Sequence, residues 1–235
     1  MKRTTFLIST ILLLLLSASA LFAQSATPEA TPPQAQSIGE LLASLPQSRQ
    51  ADGGFVAGDD SAPITVIEFM DYACSHCQDY RPTMDQVIEQ YVATGKAKFE
   101  LRILPTTGGD VTRYAAQLAE CANHQRLGDY WRAYDLLYTY VKAGQYNDQM
   151  GPSFAADLNL KYDKLDHCTQ TAARQVDRDG DLATRLSVLG TPSVLVRYLD
   201  GDPQFITASG QTYSAGGVPF DVLAQVIDSA QPIIN

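Results

Sequence analysis

The hydrophobic and polar positions of the chain alternate between strand-like and helix-like patterns. Residues 64–70, Ile-Thr-Val-Ile-Glu-Phe-Met, form a β-branched and mostly apolar run that is typical of a buried central strand. In the stretch that follows, to about residue 93, apolar side chains recur every three or four positions, as an amphipathic helix requires. The remaining pattern predicts strands over residues 96–104 and 193–196, a hairpin over 205–213, and helices over 111–125, 130–142, 152–158, 171–189 and 220–230. Strands on both sides of a run of helices indicate an α/β domain with a helical insert.

The N-terminus has a different composition. Lys2 and Arg3 precede an apolar run over residues 6–16 and a small-residue stretch that ends in Ala18-Ser19-Ala20, which is the pattern of a cleaved secretory signal peptide. Read through residue 23, the apolar stretch is also long enough for an uncleaved membrane anchor. Both interpretations place the folded part outside the cytoplasm. Residues 24–48 are rich in Ala, Pro, Gln, Ser and Thr and predict a flexible linker, in which a helical turn near residues 38–45 is compatible with the sequence.

The charge balance argues against nucleic acid as a partner. The chain carries 26 acidic and 17 basic residues, for a net charge of −9, and its basic residues form no cluster beyond the N-terminal pair. Phosphate binding needs a concentrated positive face. A length of 235 residues suffices for one core with an inserted subdomain.

The Cys74-Ser75-His76-Cys77 tetrad follows the central strand and opens the predicted helix. Two thiols at positions i and i+3 can lie on the first helical turn, close enough to form a disulfide. There the Cys74 sulfur faces unpaired amides and the positive end of the helix dipole, so we expect its pKa to fall below the usual ~8.5. A stabilised thiolate is a good leaving group, which makes the disulfide oxidising. His76 can add a hydrogen bond or positive charge near that sulfur.

Two plainer interpretations of the tetrad stay open, namely half of a zinc site and a static disulfide. Zinc normally takes four ligands, and the remaining candidates, Cys121, Cys168, His124 and His167, show no compact second pair in the sequence. We expect both histidines to be surface or packing residues. We therefore predict no bound metal and no cofactor.

The residues around the tetrad resemble the DsbA-like branch of the thioredoxin superfamily. Glu68 lies six residues before Cys74, where thioredoxin-like proteins place a buried acid beneath the second cysteine. Pro82 lies eight residues after Cys74, like the proline that kinks the active-site helix of thioredoxins. Thr191-Pro192 precedes the returning strand, like the cis-proline loop that faces the disulfide in that family.

The resemblance covers about residues 53–230 and implies a thioredoxin-like fold with an inserted helical subdomain. DsbA-type enzymes favour a histidine before the second cysteine, as in His76, but they usually have proline where this chain has Ser75. The implied organisation is a signal peptide or membrane anchor over residues 1–23, a linker over 24–48, a first thioredoxin-like part over 49–108, the insert over 109–189 and a second thioredoxin-like part over 190–235.

The resemblance also implies roles for individual residues. Cys74 is the exposed sulfur that forms a mixed disulfide with substrates, and Cys77 is its more buried partner. Glu68 passes a proton to or from Cys77 through water, unless it is simply an outward-facing residue of a half-exposed strand. Pro192 follows a cis peptide bond, which leaves the Thr191 backbone free to pair with an extended substrate.

Cys121 and Cys168 lie within the predicted helical insert, 47 positions apart. Some DsbA-like proteins carry a second, structural disulfide in this subdomain, and we expect one here in an oxidising compartment. It would stabilise the fold by roughly 4 kcal/mol on the chain-entropy model. The alternative is two buried free thiols.

The sequence thus predicts a monomeric, extracytoplasmic thiol–disulfide oxidoreductase that introduces disulfides into secreted proteins. Unfolded exported proteins are its expected substrates, and the resemblance implies a membrane reoxidase of the DsbB or vitamin-K-epoxide-reductase type. A reductase or isomerase on the same fold is the nearest alternative. A soft-metal-binding protein that uses Cys74, His76 and Cys77 as ligands is a further one.

Overall fold

A computed structural model describes residues 36–171 and 173–230. Within these residues the core is a seven-stranded mixed sheet with strand order β1-β2-β4-β3-β5-β6-β7. Strand β3 runs parallel to β4, and every other neighbouring pair is antiparallel. The strands are β1 Gln47–Arg49, β2 Phe55–Ala57, β3 Ile64–Met70, β4 Lys98–Ile103, β5 Ser193–Tyr198, β6 Gln204–Ala208 and β7 Gln211–Tyr213. The predicted α/β class is confirmed.

In the described residues one α-helix precedes the sheet, one follows β3, five fill the chain between β4 and β5, and one follows β7. They are α1 Ile38–Ser44, α2 Ser75–Val87, α3 Gly109–Gln125, α4 Asp129–Lys142, α5 Gly151–Asp157, α6 Tyr162–Thr171, α7 Gln175–Arg185 and α8 Phe220–Ser229. Helix α2 runs through Pro82 and passes into a π-helical turn, Ile88–Val92. In the part of the chain that is described, no helix combines the length and apolar character needed to cross a bilayer.

Strand β3 is buried along its whole length and presents different residues to the two helical layers. Because side chains alternate along a strand, Ile67 and Phe69 face one side, where they pack with Leu182 and Ala183 of α7. The intervening positions, including Met70, join the larger core, to which α2 and α8 contribute. Glu68 lies two positions before Met70, so its side chain is on the same face of the strand. It therefore points toward α2, the helix that begins at the tetrad.

The face toward α7 carries buried charges from β4 and β5. Arg102 Nε donates to Glu100 Oε1 at 2.6 Å, and Arg102 Nη1 donates to Asp179 Oδ1 at 2.9 Å. Arg197 Nη1 donates to the other oxygen of Glu100 at 2.6 Å. These acids and bases satisfy one another, which is the condition under which charge is tolerated inside a fold.

The folded part of the chain includes residues that were predicted to belong to the linker. Residues 1–35, with the expected signal peptide or anchor and the first part of the linker, lie outside the described residues. From residue 36 the chain is folded, contrary to the linker expected over 24–48, because Leu42 of α1 is fully buried. The Gly39 N–H also donates to Asp135 Oδ2 of α4 at 2.6 Å, which fastens α1 to the insert.

The helix predicted over residues 171–189 is present as α7 with narrower bounds, whereas α6, which precedes it, was not predicted. The Gln175 N–H at the start of α7 donates to Glu120 Oε2 at 3.0 Å, a long-range contact that local periodicity does not reveal. The helical insert was expected to extend to residue 189. In the structure, α7 packs directly against the sheet.

Candidate active site

The Cys74-Ser75-His76-Cys77 tetrad lies where β3 ends and α2 begins. Cys74 is the N-cap residue of α2, and its N–H donates to the Asp71 carbonyl at 3.1 Å. Cys77, one turn later, points into the core. Both are free thiols in this structure. Cys74 is 6% exposed and Cys77 is 0% exposed, so the order of exposure is as expected, although the first sulfur is more covered than the sequence suggested.

The two thiols have opposite electrostatic environments. Burial is the largest single influence on Cys74 and raises its pKa. Hydrogen bonds from the backbone and side chain of Cys77, the side chain of Thr191 and the backbone of His76 outweigh it and lower the pKa below its ordinary value. Burial also dominates at Cys77, and there, with the nearby Glu68 adding to it, the pKa is raised far above its ordinary value. The position at the helix start therefore favours the thiolate of Cys74 and the thiol of Cys77.

Glu68 is completely buried in the middle of β3, which rules out the outward-facing alternative. No described residue offers a hydrogen bond to either of its carboxylate oxygens. Burial raises the pKa of Glu68 to about 8, with Arg81 opposing the rise and Asp85 adding to it. The carboxyl group thus holds its proton at neutral pH and lies close enough to influence the pKa of Cys77.

The loop before β5 covers the tetrad. The Thr191–Pro192 peptide bond is cis, as the sequence predicts, and the Cys74 thiol donates to the Thr191 carbonyl at 3.4 Å. The Pro192 carbonyl accepts hydrogen bonds from the Gly216 and Gly217 N–H groups at 2.9 and 3.2 Å. This second loop, which contains Gly216 and Gly217, holds the cis-proline loop in place through these hydrogen bonds.

Gly217 is needed where that second loop meets α2. Its φ is +83°, and a Cβ there would lie 2.6 Å from the Tyr80 ring. The Tyr80 hydroxyl donates to the Val218 carbonyl at 2.7 Å and accepts from the Val218 N–H at 3.0 Å. Exposed His76 lies beside this contact and, with Asp79, Tyr80 and Gly216, lines an open cleft of about 330 Å³.

Asp71 is a residue of the site that the sequence reasoning missed. Its buried carboxylate accepts backbone N–H groups from Ala73 at 2.9 Å and from Thr106, Thr107 and Gly108 at 2.7–2.9 Å. The Thr106 hydroxyl also lies 2.8 Å from that of Thr191. Asp71 therefore holds the loop after β4 against the turn before Cys74, and that loop contacts the cis-proline loop. An acid directly after an apolar strand is the only sequence signal for it.

The other cysteine pair is a disulfide between α3 and α6. Cys121 and Cys168 are bonded, with their Cα atoms 5.8 Å apart. His124 Nδ1 lies 3.4 Å from Cys168 Sγ, so this exposed histidine, expected at the surface, lies against the disulfide.

The fold and the paired thiols define a thioredoxin-fold protein with a dithiol at a helix start. A family model described as Thioredoxin matches residues 50–201, and the chain therefore belongs to the thioredoxin family. Among solved structures, alpha-DsbA1 of Wolbachia pipientis matches with a TM-score of 0.63 at 22% identity, over 83% of this chain and 96% of that one. The DsbA-like fold expected from the sequence is confirmed.

The chain also matches curated proteins of two kinds. It is 28% identical to a probable disulfide bond formation protein D of Bacillus cereus over 156 residues, which are 63% of this chain and 72% of that protein. It is 31% identical to the Na(+)/H(+) antiporter NhaA 3 of Salinispora tropica over 154 residues, or 62% of this chain. The chain spans about a fifth (22%) of the length of that antiporter and of a second one from Salinispora arenicola.

Proposed function

We propose that the protein is an exported thiol–disulfide oxidoreductase that introduces disulfides into secreted proteins through Cys74 and Cys77. The observation that carries this proposal is the asymmetry of the pair, in which the pKa of Cys74 is lowered and that of Cys77 is raised. A disulfide whose attacked sulfur is stabilised as a thiolate is readily reduced and therefore acts as an oxidant. The similarity to disulfide bond formation proteins supports the same activity.

The reaction begins with the oxidised pair. A substrate thiolate attacks Cys74 Sγ, the Cys74–Cys77 bond breaks, and Cys77 leaves with the electron pair of that bond. A second substrate thiolate then attacks the substrate sulfur of the mixed disulfide and releases Cys74 as a thiolate. Two electrons pass from the substrate to the protein, and the substrate gains one disulfide.

Glu68 supplies the proton that the leaving Cys77 requires. At neutral pH the pKa of about 8 keeps Glu68 protonated, so it can donate through water as the Cys77 thiolate forms. The raised pKa of Cys77 favours acceptance of that proton. On reoxidation the proton returns by the same route.

The cis-proline loop and the adjacent cleft form the substrate surface. The Thr191 carbonyl lies against the Cys74 sulfur, where an extended peptide can pair with the loop backbone. His76 and the other residues of the cleft would contact the side chains of such a peptide. In this proposal the substrates are unfolded exported proteins, and a membrane reoxidase of the DsbB or vitamin-K-epoxide-reductase type restores the disulfide. The protein acts as an extracytoplasmic monomer. The antiporter match covers about a fifth of those proteins and lends no support to ion transport here.

The reduction potential of the Cys74–Cys77 couple tests the proposal. We expect equilibration with glutathione to give a value near the approximately −120 mV of DsbA, whereas a value near the approximately −270 mV of thioredoxin would indicate a reductase. Cys77→Ser should accumulate mixed disulfides with an unfolded protein that carries a disulfide, because the Cys74 thiolate attacks that bond and no second thiol of the tetrad releases the adduct. Cys74→Ser should not. Equal trapping by the two variants would contradict the assigned roles.

A further inference from the structure

Two sulfur atoms and one imidazole nitrogen converge between α3 and α6, outside the tetrad. Cys121 and His124 are three positions apart on α3, so their side chains lie on one face of that helix. Cys168 approaches from α6. One donor atom from each of these three residues lies within 4.8 Å of the other two, and Cys168 Sγ is 3.4 Å from His124 Nδ1.

These distances suit a zinc ion. Zinc binds cysteine sulfur at about 2.3 Å and histidine nitrogen at about 2.0–2.1 Å in tetrahedral geometry, so two such ligands on one ion lie roughly 3.6 Å apart. The sulfur of Cys168 and the nitrogen of His124 are already near that spacing. Only the two sulfurs, which share a bond in this structure, must separate before they can coordinate a metal.

We propose that reduction of the Cys121–Cys168 disulfide creates a zinc site built from Cys121 Sγ, Cys168 Sγ and His124 Nδ1. An external dithiol is the reductant. Its two thiols supply two electrons and two protons, the Cys121–Cys168 bond becomes two thiols, and the dithiol becomes a disulfide. Zinc binding then displaces both thiol protons, because the metal takes thiolates.

The three residues differ in exposure, and the more exposed ones allow a reductant and a metal ion to reach the site. Cys121 is fully buried, Cys168 is half-buried and His124 is exposed. An attacking thiolate therefore reaches the Cys168 sulfur first, and a zinc ion can enter from the His124 side. With three protein ligands, the fourth position faces solvent and takes water, as in open zinc sites. Oxidation closes the site, since the sulfurs then bond to each other.

Zinc binding by the full chain tests this proposal without any reference to oxidoreductase activity. The parent protein carries Cys74→Ser and Cys77→Ser, so that the tetrad contributes no thiolate. It is reduced with a phosphine, the two remaining thiols are counted with a thiol reagent, and Zn²⁺ is titrated against a chromophoric chelator. Circular dichroism checks that the reduced protein keeps its helices before metal is added.

We expect one equivalent of Zn²⁺ per reduced chain, release of two protons per ion, and no binding by the oxidised chain. His124→Asn should weaken binding by more than the 10–100-fold that loss of an outer-shell partner costs. His167→Asn, a change at an exposed neighbouring histidine, should leave the affinity unchanged. Cobalt in place of zinc should give a thiolate charge-transfer band that His124→Asn alters.

Several results would overturn the proposal. One is zinc binding by the oxidised chain that matches binding by the reduced chain. Another is identical affinity in His124→Asn and His167→Asn. A third is absence of zinc binding by a chain whose thiol count shows that both cysteines are reduced. Loss of helical structure on reduction would also overturn it, because the three donors are brought together only by the packing of α3 against α6.

Discussion

Replacing Glu68 by Gln should change how stability depends on pH. Burial raises the pKa of Glu68 from its ordinary 4.5 to about 8. Each pKa unit is worth about 1.4 kcal/mol, so the rise corresponds to about 5 kcal/mol of cost for ionising this group inside the fold. Gln has similar size and no charge, and the variant therefore avoids that cost at high pH.

The sign of the effect follows from proton binding. Below pH 4.5 the carboxyl is protonated in both the folded and the unfolded chain, and it contributes no pH dependence. Between about 4.5 and 8 the unfolded chain has released its proton while the folded chain retains it. The stability associated with the protonated group is therefore lost as pH rises, by up to about 1.4 kcal/mol per pH unit, until the folded pKa is passed.

Urea unfolding between pH 4 and pH 9 measures this, with the fluorescence of the single tryptophan, buried Trp131, as the signal. The comparison uses the Cys74→Ser/Cys77→Ser background, so that no thiol of the tetrad titrates. Between pH 4 and pH 9 the free energy of unfolding of Glu68→Gln should rise, relative to that of its parent, by up to about 5 kcal/mol. Glu89→Gln, at an exposed position, is the matched control. A difference between Glu68→Gln and its parent that stays constant from pH 4 to pH 9 would refute the reasoning.

Three further outcomes follow from the site and its support. The ultraviolet absorbance of the Cys74 thiolate in the reduced protein should titrate below the ~8.5 of a free cysteine, because local hydrogen bonds lower its pKa; a midpoint at or above that value would contradict the assignment. Asp71→Asn should destabilise the fold by roughly 3 kcal/mol in urea unfolding, since the amide cannot accept all the N–H groups that the carboxylate accepts. The control is Asp79→Asn, at an exposed acid on α2. A loss of stability in Asp71→Asn no larger than that of the control would show that the contacts contribute little. Replacing Cys121 and Cys168 together by Ser should cost about 4 kcal/mol, and unchanged thermal unfolding would be inconsistent with a stabilising bond.

The parts of the structure that depend on local pattern were predictable. Strand β3 matches the predicted residues 64–70 because its β-branched, apolar run leaves no alternative for a buried segment. The start of α2 at Cys74 follows from the i, i+3 spacing of the cysteines. Glu68 drew attention because a charge inside such a run is costly unless it is neutral or paired, and the structure places it on the face toward α2.

The parts that depend on tertiary contacts were not predictable. Residues 36–48 have the composition of a linker with at most a helical turn, yet α1 packs into the core, with Leu42 fully buried and the Gly39 N–H donating to Asp135 of α4. The start of α7 is fixed by Glu120, 55 positions earlier in the chain. The contact between His124 and Cys168 was likewise not predictable, because the two residues are 44 positions apart.

Glu68 and Asp71 show why residue type alone could not assign the site. Both are acids at or just after the same apolar strand, three positions apart and fully buried. Asp71 accepts four backbone N–H groups, so its carboxyl oxygens are paired and the residue holds two loops together. Glu68 receives no hydrogen bond from the described residues, so burial keeps it protonated, as the proposed proton exchange with Cys77 requires. The difference lies in donors that a loop more than 30 positions away brings to one acid and not to the other.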